Sequence, residues 1–253
     1  MNQQPPSLLT RLGRVIYPWR GALGVPLMAV VLLACRPQPD TTSWLAFARV
    51  VGGWSTLLFG LFIRVWGVAC WFTPDKDGVI GGKRLMTKEG PYPYTRNPRY
   101  LGNFCMGFGA AILAGVPWIS AGYVLLWCAV HIPIITAERV TLLEKHGATY
   151  ETYCKTVPAL LPRLDPAYPL VQQLLFVNWR GGIREEIGTL SGWISIGLFL
   201  HFWRTAHFVG WNHFGFHWIF LVLVAGVVVG GEKVRRALPL EQVERVEDRP
   251  IRP

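Results

Sequence analysis

The sequence predicts an all-α protein: a polytopic transmembrane helical bundle of about six spans, with cytosolic loops and short helices. Three observations predict it. Of the 253 residues, 51% are hydrophobic and only 16% are charged, and the mean hydropathy is +0.31, which fits a membrane protein better than a soluble domain. Apolar stretches approaching bilayer length recur along the chain. The basic residues lie between those stretches, so the net charge of +10 points to a membrane surface and not to nucleic acid.

A spanning helix needs about 20 mostly apolar residues. The candidates are residues 18–34, 44–72, 100–114, 117–136, 187–203 and 214–230. The first follows Arg11, Arg14 and Arg20 in the manner of a signal peptide, but no small-residue cleavage site follows it, so it reads as a retained helix. The second is long enough to tilt or to extend beyond the bilayer. The third is short, and Gly115-Val116-Pro117 joins it to the fourth as a tight helical hairpin. Residues 166–179 are apolar but too short to cross, and read as an interfacial helix.

Loop charge sets the orientation. All 25 Lys and Arg but four fall in the N-terminal tail, residues 73–99, residues 138–186 and the C-terminal tail. The exceptions are Arg36 and Arg204 in outer loops, and Arg49 and Arg64 within the second span. The positive-inside rule then places both termini and both polar loops in the cytosol. This layout divides the chain into residues 1–43 (tail and first span), 44–165 (core), 166–232 (interfacial segment and two spans) and 233–253 (charged tail).

Two cytosolic segments carry chemistry. The first is Gly90-Pro91-Tyr92-Pro93-Tyr94-Thr95-Arg96-Asn97-Pro98-Arg99-Tyr100-Leu101-Gly102, a loop stiffened by three prolines and leading into the third span. Tyr92, Tyr94 and Tyr100 offer ring faces and hydroxyls suited to an adenine or a sulfonium cation, and Arg96 offers a fork for a carboxylate or phosphate. Singly, such residues belong to any interfacial belt. As an ordered set they mark a site. The second segment runs from Glu138 and Arg139 through Leu142, His146, Gly147, Tyr150 and Tyr153 to Val157-Pro158 and Leu161-Pro162-Arg163. Glu138 and Leu142 share a helix face, Gly147 is a natural helix stop, and Tyr150 and Tyr153 lie one turn apart beyond it.

Together these segments resemble the isoprenylcysteine carboxyl methyltransferase and phospholipid methyltransferase superfamily of integral membrane enzymes. The family pattern G-P-Y-x-x-x-R-H-P-x-Y-x-G, a helical hairpin and E-E-x-x-L-x-x-x-F-G-x-x-Y-x-x-Y-x-x-x-V-P is matched with its spacings at Gly90, Pro91, Tyr92, Arg96, Pro98, Tyr100, Gly102, Glu138, Leu142, Gly147, Tyr150, Tyr153, Val157 and Pro158. The chain departs from it at Asn97 (family His), Arg139 (family Glu) and His146 (family aromatic). Asn97 keeps hydrogen-bonding capacity but cannot carry charge.

The resemblance implies methyl transfer from cytosolic S-adenosylmethionine to a lipid-like acceptor from the bilayer: a prenylcysteine carboxylate, a phospholipid amine or a small hydrophobic nucleophile. Glu138 and Arg96 are the candidate catalytic residues. Arg96 and Asn97 are expected to hold the amino-acid end of the cofactor. Tyr92, Tyr94, Tyr100, Gly102 and Glu138 are expected to wall its site, with Arg84-Leu85-Met86-Thr87 at its nucleoside. Arg64 and Arg139 are candidates for the acceptor. Arg64 sits about 12 Å inside the second span, where an anionic group of the acceptor or snorkelling to the interface are equal readings.

The remaining features read as structure. Cys35, Cys70, Cys105, Cys128 and Cys154 form no CxxC pair and read as reduced thiols. His201, His207, His213 and His217 lack Cys or acidic neighbours in the sequence, so no metal site is expected, and His131 reads as packing. Two alternatives stand beside the methyltransferase. One is a sterol-type reductase using NADPH, whose similar loop commonly carries Glu where this chain has Asn103. The other is a non-catalytic scaffold of the same fold. Membrane lipid or a lipid-like substrate is the expected partner and nucleic acid is not, and the sequence leaves the oligomeric state and the role of the last two spans open.

Overall fold

The computed structural model describes residues 7–19, 39–73, 89–164, 170–175, 177–209 and 214–237, and among them there is helix and no strand. The helices are α1 (Leu8–Ile16), α2 (Ser43–Ala69), α3 (Pro98–Ala114), α4 (Pro117–Thr156), α5 (Leu170–Leu175), α6 (Trp179–Val209) and α7 (Phe214–Ala237), with short 3₁₀ turns at Tyr17–Trp19 and Cys70–Phe72. Two helical stretches among the described residues are long and apolar enough to cross a membrane: Ser43–Phe72, with 30 residues, and Pro117–Thr156, with 40. The expected first span lies almost wholly outside the described residues.

The helix starts follow local chemistry. The Thr42 hydroxyl caps α2 by accepting from the Leu45 N–H at 3.2 Å, and Pro98 and Pro117 open α3 and α4 where a missing N–H costs nothing. Gly115 ends α3 at φ 68°, returning its N–H to the Ile112 carbonyl at 3.0 Å. The hairpin read from Gly115-Val116-Pro117 is therefore present. The fourth helix runs past its expected end at residue 136, because nothing between 137 and 146 breaks a helix. It is interrupted at Gly147 (φ 53°, ψ −132°), and a second helical piece carries Tyr150 and Tyr153.

α2 and α3 pack with their backbones in near contact. A Cβ on Gly60 would lie 2.6 Å from the Gly102 carbonyl oxygen, and one on Gly109 would lie 2.6 Å from the Gly53 carbonyl oxygen. Glycines seven residues apart on each helix thus form the close-approach seam typical of helices in lipid, where small residues let backbones meet. Leu57, Leu61, Met106, Ala110, Leu113 and Leu200 fill the core beside that seam. α6 runs antiparallel to α2: Gly182 packs on Ala69, and Gly197 packs on Trp54. The two ends of the bundle thereby differ. At the hairpin end, Arg49 and Arg204 both pair with Asp40, at 3.1 and 3.0 Å. At the opposite end lies the motif loop.

α1, inside the stretch expected only as a tail, is an amphipathic helix capped by Ser7. Its Thr10 and Gly13 are buried, and a Cβ on Gly13 would lie 2.1 Å from the Pro133 carbonyl oxygen of α4. Leu8, Leu12 and Val15 stay exposed on its other side, as on a helix lying at a membrane surface.

Candidate active site

The loop before α3 is built by its own turns. Tyr92 N–H bonds the Glu89 carbonyl at 3.2 Å, and Tyr94 N–H bonds the Pro91 carbonyl at 3.0 Å. Gly90 takes φ 55° against Cys70, and a Cβ there would fall 2.2 Å from the Cys70 sulfur, so only glycine fits. This rigid loop clamps onto the chain that follows α4. Arg96 N–H donates to the Pro158 carbonyl at 3.0 Å, Arg163 N–H to the Tyr94 carbonyl at 3.0 Å, and Asn97 Nδ2 to the Ala159 carbonyl at 2.9 Å. Tyr153 Oη donates to the Tyr92 carbonyl at 2.7 Å. The two sequence motifs, bonded through residues about sixty apart, thus form one body.

Below this clamp, Tyr100 Oη donates to Glu138 Oε1 at 2.9 Å, joining the first turn of α3 to α4. Arg96 directs its guanidinium to the Cys154 sulfur. Two polar atoms of the loop, Tyr94 Oη and Arg96 Nε, are buried with no hydrogen-bond partner. Buried polar atoms are normally satisfied, so a pair left open in one loop points to a polar ligand. Tyr92 Oη accepts from Trp71 Nε1 at 3.3 Å, and burial pushes its phenol up to about 12. Burial also raises the Tyr94 phenol. Both hydroxyls therefore stay neutral through the physiological range and serve as hydrogen-bonding groups, not as anions.

Residues 48–149 match the phospholipid methyltransferase family. That match falls on the segment that carries the first motif and the start of the second, whose pattern resembles the same superfamily. The protein-S-isoprenylcysteine O-methyltransferase of Schizosaccharomyces pombe is 31% identical over 88 residues, which cover 33% of this chain and 37% of that protein. The chain thus matches little more than a third of that relative's length. No solved structure matches the chain.

Of the expected site residues, Tyr92, Tyr94, Arg96 and Asn97 belong to the loop clamped onto the second motif, and Tyr100 reaches Glu138. Asn97, at the family's His position, has its amide nitrogen committed to Ala159, a clamping role. Gly102 packs against Gly60, so close helix approach demands glycine there. Arg139 is exposed on α4. Arg84, Leu85, Met86 and Thr87 lie outside the described residues.

Arg64 is held by partners within the bundle. Its Nε donates to Glu186 Oε2 at 2.6 Å and its Nη1 donates to Asn103 Oδ1 at 2.5 Å. Glu186, on α6 and only 3% exposed, gave no local signal in the sequence, because its partner stands 122 residues away. His131 bonds the Trp127 carbonyl through Nδ1 at 3.1 Å and stacks on the Trp127 ring at 4.5 Å, as expected of a packed histidine. Among the described residues no three His, Cys, Asp or Glu side chains are grouped to hold a metal, and His213 lies outside them.

Proposed function

We propose that this chain is an integral membrane S-adenosylmethionine-dependent methyltransferase acting on a lipid-like acceptor at the membrane surface where the motif loop lies. The single observation that carries the reading is the joining of the tyrosine-rich loop's helix to the Glu138 stretch within α4 by the Tyr100–Glu138 hydrogen bond. The family match over the same residues supports the reaction class.

The residues present fit the cofactor. Arg96, whose Nε is buried and open, suits the carboxylate of an amino-acid end, and Tyr94 Oη suits a neighbouring polar group. When bound, S-adenosylmethionine supplies an electrophilic methyl on a sulfonium. An acceptor's lone pair would take that carbon as the carbon–sulfur bond breaks, with the bonding electron pair staying on sulfur. Tyr100 holds the Glu138 carboxylate, which orients the acceptor and takes the proton when the acceptor is an ammonium. A carboxylate or thiolate acceptor needs no base, so for these the site contributes position and exclusion of water.

Calorimetry on the detergent-purified chain tests this reading. S-adenosylhomocysteine binds the wild type, and Arg96→Gln and Tyr94→Phe each weaken it about tenfold, roughly 1.4 kcal/mol. Wild-type protein that binds NADPH and not S-adenosylhomocysteine sinks the reading in favour of a reductase.

A further inference from the structure

We infer that Arg99 is the docking point for an anionic oxygen group, a phosphate or a carboxylate, carried by the lipid-like acceptor. This deepens the methyltransferase reading and rests on it. Arg64 and Arg99 share one carboxylate, that of Glu186, so the three side chains together carry one excess positive charge. The two arginines are held very differently. Arg64 makes two short hydrogen bonds and is 16% exposed, while Glu186 is 4% exposed. Arg99 stands 3.8 Å from Glu186 Oε1, beyond hydrogen-bond reach, and its side chain is 39% exposed. The unneutralised charge therefore resides on Arg99.

Arg99 is also pre-oriented. Its guanidinium lies 4.8 Å from the centre of the Trp71 ring, and Trp71 in turn donates to Tyr92 Oη in the motif loop. A guanidinium held over an aromatic ring keeps its N–H edge available for two parallel bonds to a carboxylate or phosphate. Among the described residues Arg99 makes no hydrogen bond, so that edge is uncommitted. The residue immediately after it, Tyr100, reaches Glu138. Because Trp71 bonds Tyr92 of the motif loop, an anionic headgroup on Arg99 would lie against that loop, beside the proposed site. Of the arginines expected at the site, Arg64 is neutralised, Arg96 is directed to Cys154, and Arg139 is exposed on α4.

The test is calorimetric titration of the full detergent-purified chain with four probes: dioctanoyl phosphatidic acid, decanoylglycine, dioctanoylglycerol and inorganic phosphate. Wild type is expected to bind at least one of the two anionic amphiphiles at least tenfold more tightly than dioctanoylglycerol or inorganic phosphate. The amphiphile that binds identifies whether phosphate or carboxylate is recognised. Arg99→Gln is expected to weaken that binding at least tenfold, and Arg99→Lys to recover part of it. Both variants should still bind S-adenosylhomocysteine, which reports an intact fold. Equal amphiphile affinity in wild type and Arg99→Gln overturns the inference, as does equal affinity for dioctanoylglycerol or for inorganic phosphate. Loss of S-adenosylhomocysteine binding in wild type would instead sink the methyltransferase reading and leave the Arg99 comparison readable.

Discussion

The Tyr100 hydroxyl donates to the Glu138 carboxylate at 2.9 Å, which ties the start of the helix carrying the first motif to the helix carrying the second. A hydrogen bond to a charged group is worth about 1.5–3 kcal/mol. Tyr100→Phe is therefore expected to lower turnover at least tenfold while leaving the ring in place, and Glu138→Ala to lower it further. Methyl-transfer rates at saturating cofactor check this. Unchanged rates in both variants would remove the pair from the chemistry.

Glu186 is buried between two arginines, and removing one member of a buried pair leaves an uncompensated charge. Glu186→Leu and Arg64→Leu are each expected to cost about 3–5 kcal/mol, whereas the double variant recovers much of that loss. Thermal midpoints in one detergent provide the comparison. If the two single losses simply add in the double variant, the pairing carries no coupling.

The α2–α3 seam predicts a graded effect of added carbons. Gly60→Ala would place Cβ 2.6 Å from a backbone carbonyl, which no side-chain rotation relieves, while Gly52 has open space around it. Gly60→Ala is expected to destabilise by about 1–3 kcal/mol and Gly52→Ala to leave stability unchanged or raised. Equal midpoints for the two variants would contradict close packing at Gly60.

Asp40 supplies a pH test at the hairpin end. Burial works to raise its carboxyl, but the Arg49 and Arg204 guanidiniums outweigh this and hold it below the usual 3.8. A depressed folded-state value means that the carboxylate stabilises the fold above 3.8, and that this contribution is lost as pH falls through the folded value. The thermal midpoint of the wild type should therefore drop below pH 4 by more than that of Asp40→Asn. Parallel pH profiles for the two proteins would exclude the lock.

How much of this was legible in the sequence depends on how local each signal was. Gly115 followed by Pro117, and Gly147 within an otherwise helical run, mark turns through their own backbone preferences, and both occur where expected. The motif tyrosines, Arg96 and Glu138 were readable because spacing alone identifies the pattern. α4 and α6 proved longer than their apolar stretches, because a helix continues until its backbone is broken and not until hydrophobicity ends. α6 begins at Trp179, where Asn178 Oδ1 accepts the Gly181 N–H at 3.0 Å, eight residues before the apolar run. The Glu186–Arg64 pair and the burial of Gly13 on Pro133 were not legible, since each depends on a helix distant in sequence. The packing of Gly102 on Gly60 was not legible either, since it depends on the facing helix.

The most direct test of a single joined site is transfer of tritium from methyl-labelled S-adenosylmethionine to total membrane lipid by the purified wild type and by Glu138→Ala. The account predicts a labelled lipid from the wild type and at least a hundredfold less from Glu138→Ala, with S-adenosylhomocysteine binding in the wild type intact. No labelled lipid from cofactor-competent wild type, or equal labelling by both proteins, would contradict it.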